Sequence, residues 1–148
     1  MYKHLLAAVD GSELSLESGR RAIELAKVFK ARLSAVMACP SFQQLKDKGY
    51  LPPALDAMRG EWEHDVAGHA RTILSRFAAE AENAGVICGT VLVVDDHPYR
   101  TIINTARENN CDLIVMGSHG YGGFRQLLLG SQTTQVLAHS KIPVLVYR

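Results

Sequence analysis

Residues 115–134 read VMGSHGYGGFRQLLLGSQTT, and this stretch decides the fold. An apolar run ending at Met116 enters it. Gly117, Gly120 and Gly130 punctuate it, and Ser131 and Thr133 open the helical pattern beyond. Glycine lacks a Cβ, so such a loop can reach φ > 0 and bring backbone N–H groups close to an oxyanion. A helix N-terminus just past the loop adds unpaired donors and roughly half a positive charge. Strand, glycine loop, hydroxyls, helix is the order of a phosphate cradle.

Upstream and downstream, short apolar runs alternate with helical periodicities. Leu5–Val9 reads as a strand buried on both faces. Ser12 then caps a helix whose inner face is Gly19, Ala22, Ile23, Ala26 and Phe29. Leu33–Ala38 is a second strand, stopped near Pro40. Between Pro40 and Gly60 the prolines and glycines break every pattern, so this span is expected to be an irregular excursion with one short helix near Ala54–Met58. A long helix is expected from about Glu61 to Ala84, with Trp62, Val66, Ile73 and Phe77 inward and Gly85 as its stop. Val86–Val94 is the third strand, Pro98 begins a helix to about Asn109, Asp112–Met116 is the fourth strand, Ser131–Ala138 a helix and Ile142–Tyr147 the fifth strand. The alternation predicts a single α/β domain spanning residues 1–148, with a five-stranded, doubly wound parallel sheet. Ligands of such sheets bind outside the C-terminal strand ends, where the winding reverses. The glycine loop leaves strand four and Asp10-Gly11-Ser12 leaves strand one, so both face one crevice if those strands are neighbours.

Composition excludes several classes. Sixteen basic against fifteen acidic side chains in 148 residues leave no basic field for nucleic acid or an anionic membrane. The apolar stretches are far shorter than the ~20 residues of a membrane span. Met1–His4 leads straight into a strand with no targeting pattern, so a cytoplasmic protein is expected. Three scattered cysteines (Cys39, Cys88, Cys111) form neither a disulfide framework nor a CxxC site and are expected to be reduced and mostly buried.

With these residues in place, the pattern Gly117-x2-Gly120-x9-Gly130-Ser131 resembles the nucleotide-binding signature of the universal stress protein family. The opening KHLLAAVDGSELS, the MGSHG after strand four and the closing KIPVLVYR are similar to that family too, so the resemblance covers essentially the whole chain. It implies a Rossmann-like sheet of the adenine nucleotide alpha hydrolase type, ordered 3-2-1-4-5, with ATP at its carboxyl edge and usually a dimer. Carried onto this sequence, Gly117, Gly120, Gly130 and Ser131 would bind ribose and phosphates. Backbone groups of Met116, His119 and Gln132 and the Thr133 hydroxyl would add contacts. Asp10 would face the adenosine side, and Ala38 would lie beside the base by its position in a strand rather than by any motif. Asp95-Asp96 stand where many relatives have a glycine and an uncharged residue; they either bind a cation or fill a turn. Arg125 and His119 are loop residues that either reach phosphate or stay with the loop, and His64 and His69, five apart, do not stack on one helix face as i,i+4 would.

Catalytic equipment is thin. There is no GxxxxGK[ST] lysine, no GxSxG and no metal-ligand spacing, and DGSELS lacks the SGGxDS pattern of adenylating relatives. The expectation is an ATP-binding regulatory module with no dedicated catalysis, whose nucleotide orders Ser118–Leu129 and the Pro40–Gly60 excursion. The alternatives are a slow Mg2+-dependent ATPase, or a scaffold for another small ligand. The last strand supplies a further expectation. Ile142–Tyr147 is apolar, and Pro143 demotes it to a sheet edge, so two copies are expected to pair along it as a homodimer.

Overall fold

The computed structural model describes residues 1–120 and 129–148. Five strands alternate with helices: β1 (His4–Ala8), α1 (Glu13–Phe29), β2 (Arg32–Cys39), α2 (Phe42–Asp47), a 3-10 turn (Pro53–Met58), α3 (Arg59–Asn83), β3 (Cys88–Val94), α4 (Pro98–Glu108), β4 (Leu113–Gly117), α5 (Ser131–His139) and β5 (Val144–Tyr147). The strands form one parallel sheet in the order β3-β2-β1-β4-β5, the order the family resemblance implies.

Successive residues of a strand point to opposite faces, so a run buried on both sides feeds two cores. Leu5, Ala7, Leu33, Ala35 and Val115 pack with Ala22, Ile23, Leu74 and Phe77 on the α1/α3 face. Leu6, Val36, Ile114 and Met116 pack with Ile102, Ala106 and Val136 on the α4/α5 face. Leu5, Leu6 and Ile114 are fully buried, each contributing about 1.5–3 kcal/mol relative to exposure. The Gly19 position on α1 exists for Phe77: a Cβ there would sit 2.6 Å from the phenyl ring.

Helix ends follow the capping chemistry read from the sequence. Ser12 accepts the Ser15 N–H at the start of α1, and α3 gives way at Gly85, whose φ is +80°. The excursion holds more order than expected, because α2 is a helix in its own right. Its N-cap Ser41 accepts the Gln44 N–H at 3.1 Å, a cap that Ser41-x-x-Gln44 signals in the sequence. The N-terminal half of α3 also departs from expectation. Trp62 and Val66 are half-buried, and the fully inward row is Ala70, Leu74, Phe77 and Ala81. Strand ends differ by one or two residues from the periodicity, as helix and strand ends do. All three thiols are free, Cys39 and Cys111 buried and Cys88 half-buried; burial pushes those of Cys88 and Cys111 up to about 11, which keeps them protonated and inert.

At the N-terminal edge of the sheet, far from the strand tips, His4 ties three elements together. Its Nδ1 lies 2.9 Å from the Asn109 carbonyl and its Nε2 2.8 Å from the Ser34 hydroxyl. A carbonyl only accepts, so Nδ1 carries the proton and the neutral ring accepts from Ser34 through Nε2. Burial is the main cause that lowers its pKa, with Arg32 adding to it against the Asn109 hydrogen bond and Asp112. A depressed folded pKa means stability that is complete above the unfolded value of about 6.5 and lost as pH falls through the folded value. The melting temperature is therefore expected to fall between pH 7 and 5 more steeply for the wild type than for His4→Gln. Parallel melting curves across that range would refute this reading.

Candidate functional site

A cleft of about 1040 Å³ opens at the C-terminal edge of the sheet, and it is lined by Asp10, Ala38, Met116, Gly117, His119, Gly120, Gly130, Ser131, Gln132 and Thr133. These are the ten residues singled out from the sequence. The sheet order explains their meeting. β1 and β4 are neighbours whose following helices pack on opposite faces, so their C-terminal ends diverge into a crevice.

Asp10 lies two residues beyond β1. Its carboxylate accepts the Ser12 N–H at 2.8 Å, and its own N–H donates to the Ser15 hydroxyl at 3.1 Å. The carboxylate fills the space beside Gly120, where any Cβ would collide with it. Gly130 crosses the other arm of the loop at equally short range. Its N–H donates to the Ser118 carbonyl at 2.6 Å, and a Cβ would stand 3.1 Å from the His119 Cα. The positive φ expected of these glycines is absent. Gly130 has φ −71°, and neither Gly117 nor Gly120 has positive φ. The requirement is close passage of one backbone past another, not a left-handed turn.

Gly130 is also the N-cap of α5, and it supplies no side-chain hydrogen bond to the first turn. Helices α1 and α2, which also start at this rim, each have one first-turn N–H met by a side-chain cap, Ser15 by Ser12 and Gln44 by Ser41. Among the described residues the first-turn N–H groups of α5 have no side-chain acceptor, and they lie at the cleft with the exposed Ser131 at the first helical position. Two neighbours are already committed. The Thr133 hydroxyl is buried and donates to the Gly117 carbonyl at 2.9 Å, binding the helix to the end of β4. The Gln132 side chain accepts the Tyr99 N–H at 2.9 Å and so caps α4. His119 pairs with the Ser118 hydroxyl at 3.2 Å. Arg125 lies outside the described residues, as do residues 121–128 generally.

The aspartate pair at the end of β3 holds loops rather than filling an idle turn. Asp95 accepts the Thr101 hydroxyl at 2.7 Å and the His97 N–H at 2.8 Å, and these bonds hold its carboxyl below the usual range. Asp96 accepts the Ser41 N–H at 2.9 Å and the Ser41 hydroxyl at 3.1 Å, while its carbonyl accepts the Gln44 amide at 3.2 Å. It thereby pins α2 over the cleft. Among the described residues no group of three or more His, Cys, Asp or Glu is arranged to hold a metal ion.

Sequence reasoning missed the far wall of the cleft, formed by Gln44 and Leu45 of α2, its C-cap Lys48, and Trp62, Asp65, Val66, His69 and Ala70 of α3. The Ser41 cap would have revealed α2. Nothing in the periodicity of α3 separates an apolar row facing a cleft from one facing a core.

The universal stress protein family model matches residues 1–148. The chain belongs to the universal stress protein family. Universal stress protein YxiE of Bacillus subtilis is 32% identical, the match covering 100% of both chains. Universal stress protein UspA from Lactobacillus plantarum has the same fold, with a TM-score of 0.83, 26% identity and coverage of 99% of this chain and 98% of that one. A universal stress protein solved in complex with cAMP superposes with a TM-score of 0.69 at 25% identity, over 99% of this chain and 97% of that one. No helix among the described residues of this family member is long and apolar enough to cross a membrane.

Proposed function

We propose that this universal stress protein is a cytoplasmic ATP-binding regulatory module, with the polyphosphate at the N-terminus of α5 and the base toward the tips of β1 and β2. The observation that carries the reading is the start of α5. Its donors lack a side-chain cap, they face a cleft large enough for a nucleotide, and the backbone beside them is stripped of Cβ atoms at Gly117 and Gly130. The structure solved with cAMP supports an adenine ligand in this fold. On this reading Gly117, Gly120, Gly130 and Ser131 contact ribose and phosphates. The backbone of Met116, His119 and Gln132 borders them, Asp10 faces the adenosine and Ala38 the base. Thr133 acts chiefly by fixing α5 to β4, and Mg2+ would enter with the phosphates. The sequence has no GxxxxGK[ST] lysine to follow the phosphates, and on this reading the site binds rather than turns over its nucleotide.

The test is thermal melting with and without ATP. Ligand at about 100 times its dissociation constant stabilises a one-site protein by ~2.7 kcal/mol. Ser131→Ala removes one hydrogen bond to a charged group, of order 1.5–3 kcal/mol, or roughly ten- to hundredfold in affinity, and leaves the ligand-free melting temperature nearly unchanged. A protein that ATP, ADP, AMP and cAMP all fail to stabilise is not a nucleotide-binding one.

A further inference from the structure

The cleft extends beyond the strand tips to α2 and α3. From the start of α5 beside β4, the sheet order carries the crevice across β1 to the tip of β2, two strand spacings or about 10 Å away. Beyond that tip lies an arm between α2 and α3. Trp62, Val66 and Ala70 succeed one another at i, i+4 and i+8, one apolar row of α3 turned to the cleft, and Leu45 of α2 faces them. Trp62 and Val66 are half-buried, Val66 also touching the edge of the core. The ring of Trp62 is fixed edge-on to the buried Phe42 at 5.3 Å, and Arg59 lies over Phe42 at 5.5 Å. Asp96 and Ser41 anchor the helix that forms the roof. Of the polar groups, Lys48, Asp65 and His69 are exposed at the rim, and Gln44 is half-buried with its amide bound to the Asp96 carbonyl. The arm is thus an annex with an apolar floor and a polar rim, joined to the base end of the nucleotide cleft. The whole space of about 1040 Å³ stands at the upper end of the ~300–1,000 Å³ of drug-sized ligand sites.

We propose that this annex takes an apolar group carried on the base, so that the preferred ligand is an adenine nucleotide substituted at its exocyclic amine. The inference rests on the nucleotide reading above, and chemistry fixes the edge concerned. The sugar leaves the imidazole ring of adenine toward the phosphates, so the amine edge of the six-membered ring points away from them, into the arm. An aromatic or branched aliphatic group there would leave water for Val66, Leu45 and the face of Trp62.

Calorimetric titration of the full chain with ATP and with N6-benzyl-ATP tests this. The benzyl nucleotide is expected to bind about tenfold or more tightly than ATP, and the ratio is expected to collapse toward one in Val66→Trp. Because Val66 also touches the core, Leu45→Trp, on the roof helix, is the second variant and is expected to act alike. ATP binding with an equal or weaker benzyl nucleotide overturns the inference and leaves the nucleotide reading standing. A tenfold preference that survives in both folded variants places the benzyl group elsewhere and also overturns it. Failure of both nucleotides to bind removes the nucleotide reading itself, and this inference with it.

Discussion

Gly130→Val is expected to weaken ATP binding at least thirtyfold, about 2 kcal/mol. Every part of the cradle meets at this residue. Its Cα passes His119 so closely that a Cβ would stand 3.1 Å from the His119 Cα and 3.3 Å from the Ser118 carbonyl oxygen. Both neighbours are backbone, unable to rotate away, and a branched side chain must push α5 off the end of β4. That movement breaks the 2.6 Å bond from the Gly130 N–H to Ser118 and tilts the donors of the first turn away from the cleft. The overpacking itself costs about 1–3 kcal/mol of stability, so the ligand-free melting temperature should drop while the protein still folds. Gly60→Ala is the control, since nothing lies within 4 Å of a Cβ there. Equal affinity of Gly130→Val and wild type would show that phosphate does not sit at α5.

The second large effect concerns assembly. Among the described residues β5 is an edge strand, paired with β4 alone. The Ile114 N–H donates to Pro143 and the Ser118 N–H to Tyr147, so the odd-numbered residues of β5 turn their polar groups inward. By the alternation of a parallel ladder, Val144 and Val146 present theirs outward. We propose that two copies pair antiparallel along this edge around a twofold axis. Sedimentation of the wild type at tens of micromolar is expected to show a dimer, and the Val144→Lys, Val146→Lys double variant a monomer. Val144 also packs against the α4/α5 core, so Val146→Pro provides a gentler break. It deletes one outward donor and leaves the bonds to β4 in place. A monomeric wild type, or a dimer that survives both changes, would dispose of the interface.

Much of this architecture was legible in the residues. Two-sided burial made Leu5–Val9 and Asp112–Met116 unmistakable strands, and Ser12, Gly85 and Pro98 marked helix ends because capping is local chemistry. The spacing of Gly117, Gly120 and Gly130 places the loop residues at one crevice, and of the two uses of glycine read there the positive φ is absent at these three. A sequence cannot distinguish a residue that needs positive φ from one that needs a neighbour to pass close by. The excursion after β2 was hidden by Pro40, Gly49 and the Pro52-Pro53 pair, which mask a two-turn helix capped by Ser41. Trp62 and Val66 look like core residues because an apolar stripe carries no label for what lies opposite. Asp95 and Asp96 were ambiguous for a related reason: their partners, Thr101 and Ser41, are set by tertiary geometry, and Ser41 lies 55 residues away.

The bond from Tyr99 to Gln132 reaches further than one helix cap. Asp95 fastens the β3–α4 loop to α4, Asp96 fastens the same loop to α2, and Gln132 fastens α4 to α5. The rim of the cleft is therefore strung together as a hoop, running from α2 on one side to α5 on the other. Three residues, 95–97, separate β3 from α4, and they are the clasp of that hoop. Lengthening or shortening this connection by a single residue would shift both ends of the cleft together. The clasp is thus a poor place for insertions, even though it lies at the surface of the molecule.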